Sequence, residues 1–176
     1  MKLSIVSGGF DPVHVGHLEC FEKAKSLADH LFVIVNDDKF LERKKGKPFM
    51  RWRERMTIIQ ALKPVTMAIV ASDKDDTVCE TLKWIHKVFK SRYDEILFCN
   101  GGDRTVDGDK PEHKLCLSLG IKPIYGLGDK IQSSSWLIAG EDSLEVLESR
   151  VTNAIKDGKF DGSSQDRQSN AGSLFF

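Results

Sequence analysis

The sequence predicts an α/β fold with a doubly wound, mainly five-stranded parallel sheet and helices on both of its faces. Five short β-rich runs are almost continuously apolar, which is typical of strands covered on both sides in a parallel sheet. Most of these runs are followed by a helix-sized segment with apolar residues at helical spacing, which favours right-handed β-α-β crossovers. The chain has 176 residues, enough for one domain with a sizeable core.

The predicted elements alternate along the chain, and no internal repeat relates them. The strands are expected at residues 3–7, 31–36, 67–72, 95–100 and 122–127. The helical segments carry their apolar stripes on Leu18, Phe21, Ala24 and Ala28, on Met56, Ile59 and Leu62, and on Val78, Leu82, Ile85 and Phe89.

The C-terminal part of the chain divides into a helix and a tail. Residues 142–156 predict one more amphipathic helix, because Leu144, Leu147, Val151 and Ile155 form an apolar stripe. Residues 157–176 are rich in Gly, Ser, Asn, Asp and Gln, which is typical of a flexible segment. We therefore expect a single domain over residues 1–156, followed by a flexible tail.

Composition narrows the classes of function. Lysine plus arginine and aspartate plus glutamate each number 26, so no global field favours nucleic acid or an anionic membrane. No apolar stretch approaches the roughly 20 residues of a membrane span, and the N-terminus lacks a signal-peptide pattern. The four cysteines form no CxxC pair, which favours buried reduced thiols over the alternative of a zinc site. We expect a soluble, cytoplasmic protein.

The first candidate site is the stretch "GGFDPVHVGH", which follows the first predicted strand. Ligands of open α/β sheets bind beyond the carboxyl ends of the strands, and Gly8 and Gly9 allow the backbone to approach a ligand closely. His14 and His17 lie about one helical turn apart at the start of a predicted helix, whose free N–H groups suit a phosphate. Such a pair could also hold a metal or cap the helix. The glycines and the strand context favour phosphate.

The second candidate site is the basic segment "ERKKGKPFMRWRERM". A charge run is usually a solvated face, but Gly46 predicts a loop here, so Lys44 and Lys47 would be mobile cations over a polyphosphate. Lys45 is expected to face solvent. Arg55, on the following helix, would be a fixed cation for a second phosphate.

Two further strand ends carry polar groups. "NGGDR" places Gly102 and Asp103 after the fourth strand, where an ordinary turn is the alternative to a ribose contact. "KIQSSSWLI" follows the fifth strand, and its three serines supply a helix cap, backbone donors and hydroxyl groups together. They are Ser133, Ser134 and Ser135.

These four motifs, spanning residues 5–138, resemble in content and order those of the HxGH nucleotidyltransferase superfamily, which is cytidylyltransferase-like and has a Rossmann-like fold. They are most similar to the motifs of glycerol-phosphate cytidylyltransferases and heptose-phosphate adenylyltransferases. Cytidylyltransferases often carry an R-T-E-G run where this chain has "GLGDKI", a difference that weakens a glycerol- or choline-phosphate acceptor. Lys130 is the expected substitute.

The resemblance implies an enzyme that transfers a nucleoside monophosphate from CTP or ATP to a small phosphorylated acceptor and releases pyrophosphate. It implies His14, His17, Lys47 and Lys44 as catalytic residues and Mg²⁺ bridging the phosphates, with Asp11 either holding that metal or holding the turn. No other protein-bound metal is expected. A homodimer is implied because relatives are commonly dimers or larger. The implied nucleotide-binding residues are Gly8, Gly9, Phe10, Asp11, Gly16, Gly102, Asp103, Ser133, Ser134 and Ser135, and the implied acceptor-binding residues are Arg55 and Lys130.

Several alternatives stay open at this point. The "GGD" turn and the serines favour a sugar or polyol phosphate as the acceptor, whereas the histidine motif alone equally suits a pantetheine-phosphate or nicotinamide mononucleotide adenylyltransferase. A non-catalytic nucleotide sensor is the alternative of another class. The choice between purine and pyrimidine also stays open.

Overall fold

The computed structural model describes residues 1–101, 110–128, 132–139, 152–153 and 156. Five strands form one sheet in the order β3-β2-β1-β4-β5, and every neighbouring pair is parallel. The doubly wound α/β prediction is therefore confirmed. The strands are β1 (Lys2–Gly8), β2 (His30–Val35), β3 (Met67–Val70), β4 (Glu95–Gly101) and β5 (Lys122–Leu127).

Helices connect the strands and cover both faces of the sheet. Residues 44 and 45 lie in a helix, so the loop predicted around Lys44 and Lys45 was wrong. That helix is capped at its N-terminus by Asp37, whose carboxylate accepts a hydrogen bond from the Phe40 N–H at 2.7 Å, and at its C-terminus by Gly46, where φ is 82°. The helices are α1 (Val15–Ser26), α2 (Asp38–Lys45), α3 (Trp52–Gln60), α4 (Cys79–Phe89), α5 (Pro111–Leu119) and α6 (Ser134–Ala139), with a 3₁₀ turn at Lys90–Arg92.

The core has two halves because successive strand side chains point to opposite faces of the sheet. On one face, Leu3 and Ile5 of β1 pack with Leu82 and Ile85 of α4. On the other face, Val6 of β1 belongs to a second apolar cluster with residues of α1 and α3, namely Phe21, Ala24 and Ile59. The near-continuous apolar strands of the sequence are explained by this burial on both sides.

The strand boundaries differ from the sequence expectation by at most one residue, except at the end of the third strand. The third strand ends at Val70 rather than at residue 72, because the Ser72 N–H is bonded to the Thr81 hydroxyl at 2.9 Å instead of to a neighbouring strand. Most of the predicted helix 142–156 and the whole tail lie outside the described residues. No helix in the described part of the chain is long and apolar enough to cross a membrane.

Candidate functional site

Two adjoining cavities open at the carboxyl edge of the sheet. The histidine cavity has a volume of about 520 Å³ and is named for His14 and His17 in its wall. The Asn36 cavity has a volume of about 500 Å³ and lies beside the ends of β2 and β4. Because α/β sheets bind ligands at this edge, both cavities are candidate sites. Their linings share three residues, Ser7, Gly8 and Lys44.

The structure brings most of the sequence-predicted site residues together. Asp11, Lys47 and Arg55 line neither cavity. Gly102, Asp103 and Lys130 lie outside the described residues, so their predicted roles stay predictions. The predicted residues that line the histidine cavity are Gly8, Gly9, Phe10, His14, Gly16, His17, Lys44, Ser133, Ser134 and Ser135.

The two histidines are packed against each other at the start of α1. Their rings stack with centroids 3.7 Å apart and an angle of 24° between the planes. The backbone N–H of His14 donates to Nδ1 of His17 at 3.3 Å, so Nδ1 is an acceptor and Nε2 of His17 carries the ring proton. His17 can thus donate a hydrogen bond without first being protonated.

The electrostatics of the pair favour neutral imidazoles. Burial, with a contribution from the nearby ammonium of Lys45, lowers the pKa of His14 to about 4. Burial, His14 and Lys45 together lower the pKa of His17 to about 3. A bound polyphosphate would counter both the desolvation and the repulsion. The site is therefore adapted to accept negative charge.

The ring of Phe10 packs against His17. Phe10 is 5% exposed, and its ring meets His17 edge-on at 4.9 Å and Phe21 at 5.2 Å. The backbone of Phe10 has a φ of 51°, a conformation that side-chain-bearing residues adopt rarely. Gly8 makes room for this ring, because a Cβ at Gly8 would lie 2.9 Å from Phe10. The glycine thus serves packing as well as ligand approach.

Asp11 stabilises the histidine turn, which connects β1 to α1. It is 1% exposed, and its two carboxylate oxygens accept the backbone N–H groups of Phe49 at 2.8 Å and Met50 at 2.7 Å. These bonds tie the histidine turn to the segment that precedes α3. Of the two roles foreseen for Asp11, the structure supports the turn, because both carboxylate oxygens accept backbone N–H groups and the buried side chain lines neither cavity.

Arg55 also joins backbone segments. Its side chain is fully buried, and the guanidinium donates to the carbonyl oxygens of Gly9 at 2.6 Å, Asn36 at 2.8 Å and Met50 at 2.9 Å. The remaining contact is an ion pair with Asp38 at 2.9 Å. Arg55 therefore differs from the predicted acceptor-binding residue: its donors are directed at the protein, and it reaches neither cavity.

The lysines are arranged differently from the sequence expectation. Lys44 and Lys45 both lie in the last turn of α2 and line the histidine cavity. Nζ of Lys45 is 3.5 Å from the carbonyl oxygen of Asp11, so this lysine faces the turn rather than bulk solvent alone. Lys47 is exposed and follows the helix. Helix α2 is the reason, since it directs residues 44 and 45 toward the site.

The serine run closes the opposite wall of the histidine cavity. Ser134 donates from Oγ to the carbonyl oxygen of Pro12 at 2.9 Å, which fixes the serines to the histidine turn. The hydroxyl groups of Ser133 and Ser135 are 2.8 Å apart, and the N–H of Trp136 donates to Oγ of Ser133 at 3.3 Å. Two segments more than 100 residues apart in sequence thus form one wall.

The Asn36 cavity contains residues that the sequence analysis missed. Within its wall, Nδ1 of His113 and the hydroxyl of Tyr125 are 2.7 Å apart. Asn36 was missed although it follows β2 directly, and polar residues at strand ends are a signal that would have found it. Within the described residues, no group of three His, Cys, Asp or Glu side chains is arranged to hold a metal ion. The other missed residues include Phe40, Phe98, Asn100 and Lys110.

Fold and site together define an α/β protein of the HxGH type, with an imidazole pair at the first strand end and two cavities beside it. The chain belongs to the cytidylyltransferase-like family, whose model matches residues 5–170. This confirms the nucleotidyltransferase superfamily that the motifs resemble.

Individual proteins and one crystal structure also resemble this chain. FAD synthase of Ferroglobus placidus is 41% identical over 75 residues, which cover 43% of this chain and 49% of that protein. FAD synthase of Thermococcus sibiricus is 42% identical over 71 residues, covering 39% and 48% respectively. The chain thus spans about half the length of the curated relatives it matches. The crystal structure of the lipopolysaccharide core biosynthesis protein of Thermoplasma volcanium has a TM-score of 0.54 and 28% identity, covering 72% of this chain and 94% of that one.

Proposed function

We propose that this protein is a nucleotidyltransferase that moves a nucleoside monophosphate from ATP or CTP to a small phosphorylated acceptor. The observation that carries the proposal is the contact between the two cavities at Ser7, Gly8 and Lys44. A triphosphate in the histidine cavity and an acceptor phosphate in the Asn36 cavity would meet there, beside two imidazoles.

The reaction itself needs alignment more than covalent chemistry. An oxygen of the acceptor phosphate attacks the α-phosphorus of the triphosphate, the bond from that phosphorus to the bridging oxygen breaks, and pyrophosphate leaves with the electron pair. Both reactants are anions, so the protein lowers the barrier by positioning them and by stabilising the charge that develops. No nucleophilic side chain is required.

The residues of the histidine cavity divide this work. His17, with its proton on Nε2, donates to the α-phosphate or the leaving oxygen, and the stacked ring of His14 donates beside it. Lys44 lies between the two anions, and Lys45 faces the triphosphate. The hydroxyl groups of Ser133 and Ser135 bind the terminal phosphates. Mg²⁺ enters with the triphosphate as part of the substrate.

Two acceptor classes have specific support. The polyol or sugar phosphate expected from the sequence fits the polar groups of the Asn36 cavity, and a lipopolysaccharide biosynthesis protein is among the structural neighbours. The FAD synthase relatives favour FMN with ATP instead. The aromatic side chains of Phe40, Phe98 and Tyr125 in the same cavity would suit the flavin ring.

Pyrophosphate release tests the proposal. ATP and CTP, each with Mg²⁺, are to be offered separately with FMN, glycerol 3-phosphate, sugar 1-phosphates, pantetheine phosphate and nicotinamide mononucleotide. We expect one pyrophosphate per nucleotide-linked product with one donor and one class of acceptor. Tight binding of triphosphate without pyrophosphate release for any acceptor would favour a nucleotide sensor.

A further inference from the structure

Asn36 is held rigidly at the boundary of the Asn36 cavity. It is 6% exposed and follows the last residue of β2. Its backbone N–H donates to the carbonyl oxygen of Gly8 at 2.9 Å, and its own carbonyl accepts from Arg55 at 2.8 Å. The backbone at this position is therefore fixed from both sides, and the side chain contributes to the cavity wall.

The side chain of Asn36 has an unused acceptor. Its Oδ1 is buried and has no hydrogen-bond partner among the residues that the structure describes. A buried carbonyl oxygen without a partner costs on the order of 1–3 kcal/mol, so such a group in a cavity wall indicates a ligand that donates to it. Asn100 lines the same cavity and is equally buried, but its amide donates to the carbonyl oxygen of Ile124 at 3.5 Å.

The position of Asn36 relative to the reaction limits what that donor can be. Lys44 and Gly8 lie in both cavities, so the acceptor phosphate belongs beside them. Asn36 is bonded through its backbone to Gly8, so its side chain lines the Asn36 cavity close to the residues that both cavities share. In glycerol 3-phosphate, in sugar phosphates and in FMN, which are the acceptors supported above, the donor closest to the phosphate is a hydroxyl group on the carbon chain.

We propose that Asn36 is a specificity-determining residue that accepts a hydrogen bond from a hydroxyl group of the acceptor, and that the acceptor is therefore the phosphate ester of a hydroxylated chain. The inference rests on the proposed function and deepens it. Glycerol 3-phosphate, a sugar phosphate and the ribityl phosphate end of FMN all share this chemistry. An alkyl phosphate lacks it.

Binding measurements test the assignment without depending on turnover. Glycerol 3-phosphate and propyl phosphate, which differ in two hydroxyl groups, are titrated into protein that is saturated with a Mg²⁺ complex of a triphosphate analogue with a non-cleavable α,β-bridge. FMN is titrated as a third ligand. The proteins are the wild type, Asn36→Leu and Asn36→Asp, with Gln60→Leu as the matched comparison at a satisfied amide outside both cavities. Thermal unfolding verifies that each variant is folded.

We expect the wild type to bind the hydroxylated phosphates at least ~10-fold more tightly than propyl phosphate, in line with the loss from one unpaired buried group. Asn36→Leu should reduce that ratio to near one by weakening only the hydroxylated ligands. Asn36→Asp, which keeps an acceptor oxygen, should retain the preference. Gln60→Leu should leave the ratio unchanged. FMN or glycerol 3-phosphate as the tighter ligand identifies the source of the hydroxyl.

Three results would overturn the assignment: equal binding of propyl phosphate and the hydroxylated phosphates by the wild type, an unchanged ratio in folded Asn36→Leu, or no binding of any hydroxylated phosphate in the set. A failure of the proposed function looks different. In that case the preference for hydroxylated phosphates is present in the titrations, but no pyrophosphate is released from a cleavable triphosphate.

Discussion

The histidine cavity and the Asn36 cavity are built in different ways. Around the histidine cavity, polar side chains bond to the protein itself: Asp11 to the backbone before α3, Ser134 to Pro12, and His17 to the backbone of His14. Each cavity also has buried polar atoms without a partner in the described part of the chain: a ring nitrogen of His14 and the amide nitrogen of Gln132 in the histidine cavity, and the amide oxygen of Asn36 in the other. We interpret this difference as a site with unpaired nitrogens for the phosphates that every nucleoside triphosphate shares, beside a site whose unpaired oxygen suits a hydrogen-bond donor on the phosphorylated acceptor.

Arg55 joins the two regions, and its removal is expected to have the largest effect. The guanidinium bonds to Gly9 on the histidine side and to Asn36 on the other side, while it pairs with Asp38. Arg55→Ala would remove the donor that these buried carbonyl oxygens share and the buried cation beside Asp38, whose carboxylate would keep only the Trp52 N–H at 2.7 Å and Arg51 at 3.6 Å. Breaking such a buried pair typically costs about 3–5 kcal/mol of stability. Urea unfolding measures the loss. A loss below ~1 kcal/mol would show that Arg55 does not hold the two regions together.

Acid should lower the free energy of unfolding through His17 in the histidine cavity. The folded protein holds His17 at a pKa of about 3, well below the ordinary value of 6.5, so below pH 6.5 the unfolded chain binds a proton that the native state does not. The free energy of unfolding should therefore fall as the pH falls from about 7 toward 3. For one such histidine the loss between pH 7 and pH 5 is about 2 kcal/mol.

Urea unfolding of His17→Asn at several pH values checks this expectation. The asparagine does not titrate, so the variant should lose about 2 kcal/mol less than the wild type between pH 7 and pH 5. Parallel pH profiles for the two proteins would contradict the neutral, buried imidazole.

Lys45 and Lys47 differ in their position relative to the histidine cavity, so their effects on triphosphate binding should differ as well. Lys45 lies in the wall of the histidine cavity, whereas Lys47 lines neither cavity. Lys45→Met should raise the Kd of a triphosphate about 10-fold, which corresponds to about 1.4 kcal/mol, and Lys47→Met should change it less than about 2-fold. Isothermal titration with Mg²⁺ and triphosphate distinguishes them. A larger effect at Lys47 than at Lys45 would contradict this expectation and would favour the sequence prediction, in which Lys47 is catalytic and Lys45 faces solvent.

The two regions also differ in how well the sequence predicts them. The apolar strands and the order of motifs predicted the parallel sheet, and a contiguous stretch predicted the histidine turn, because both patterns are local. The lysine helix was missed because Gly46 terminates it, and a glycine within a basic run resembles a loop signal. The Asn36 cavity was missed because its wall comes from three strands, two helices and the segments after β2 and before α4, which only the fold brings together. Arg55 was misassigned because its burial depends on packing and cannot be seen in the residue itself.

The role of the histidine cavity in nucleotidyl transfer is tested most simply by the steady-state rate of pyrophosphate release by His17→Ala, measured beside His86→Ala. His86 lies on α4 and lines neither cavity, so it is the matched control. Loss of the Nε2 donor should lower kcat by more than ~10²-fold in a folded protein, as the loss of one preorganised donor does, whereas His86→Ala should keep its activity. Near-normal turnover by folded His17→Ala would contradict the role of the histidine cavity in nucleotidyl transfer.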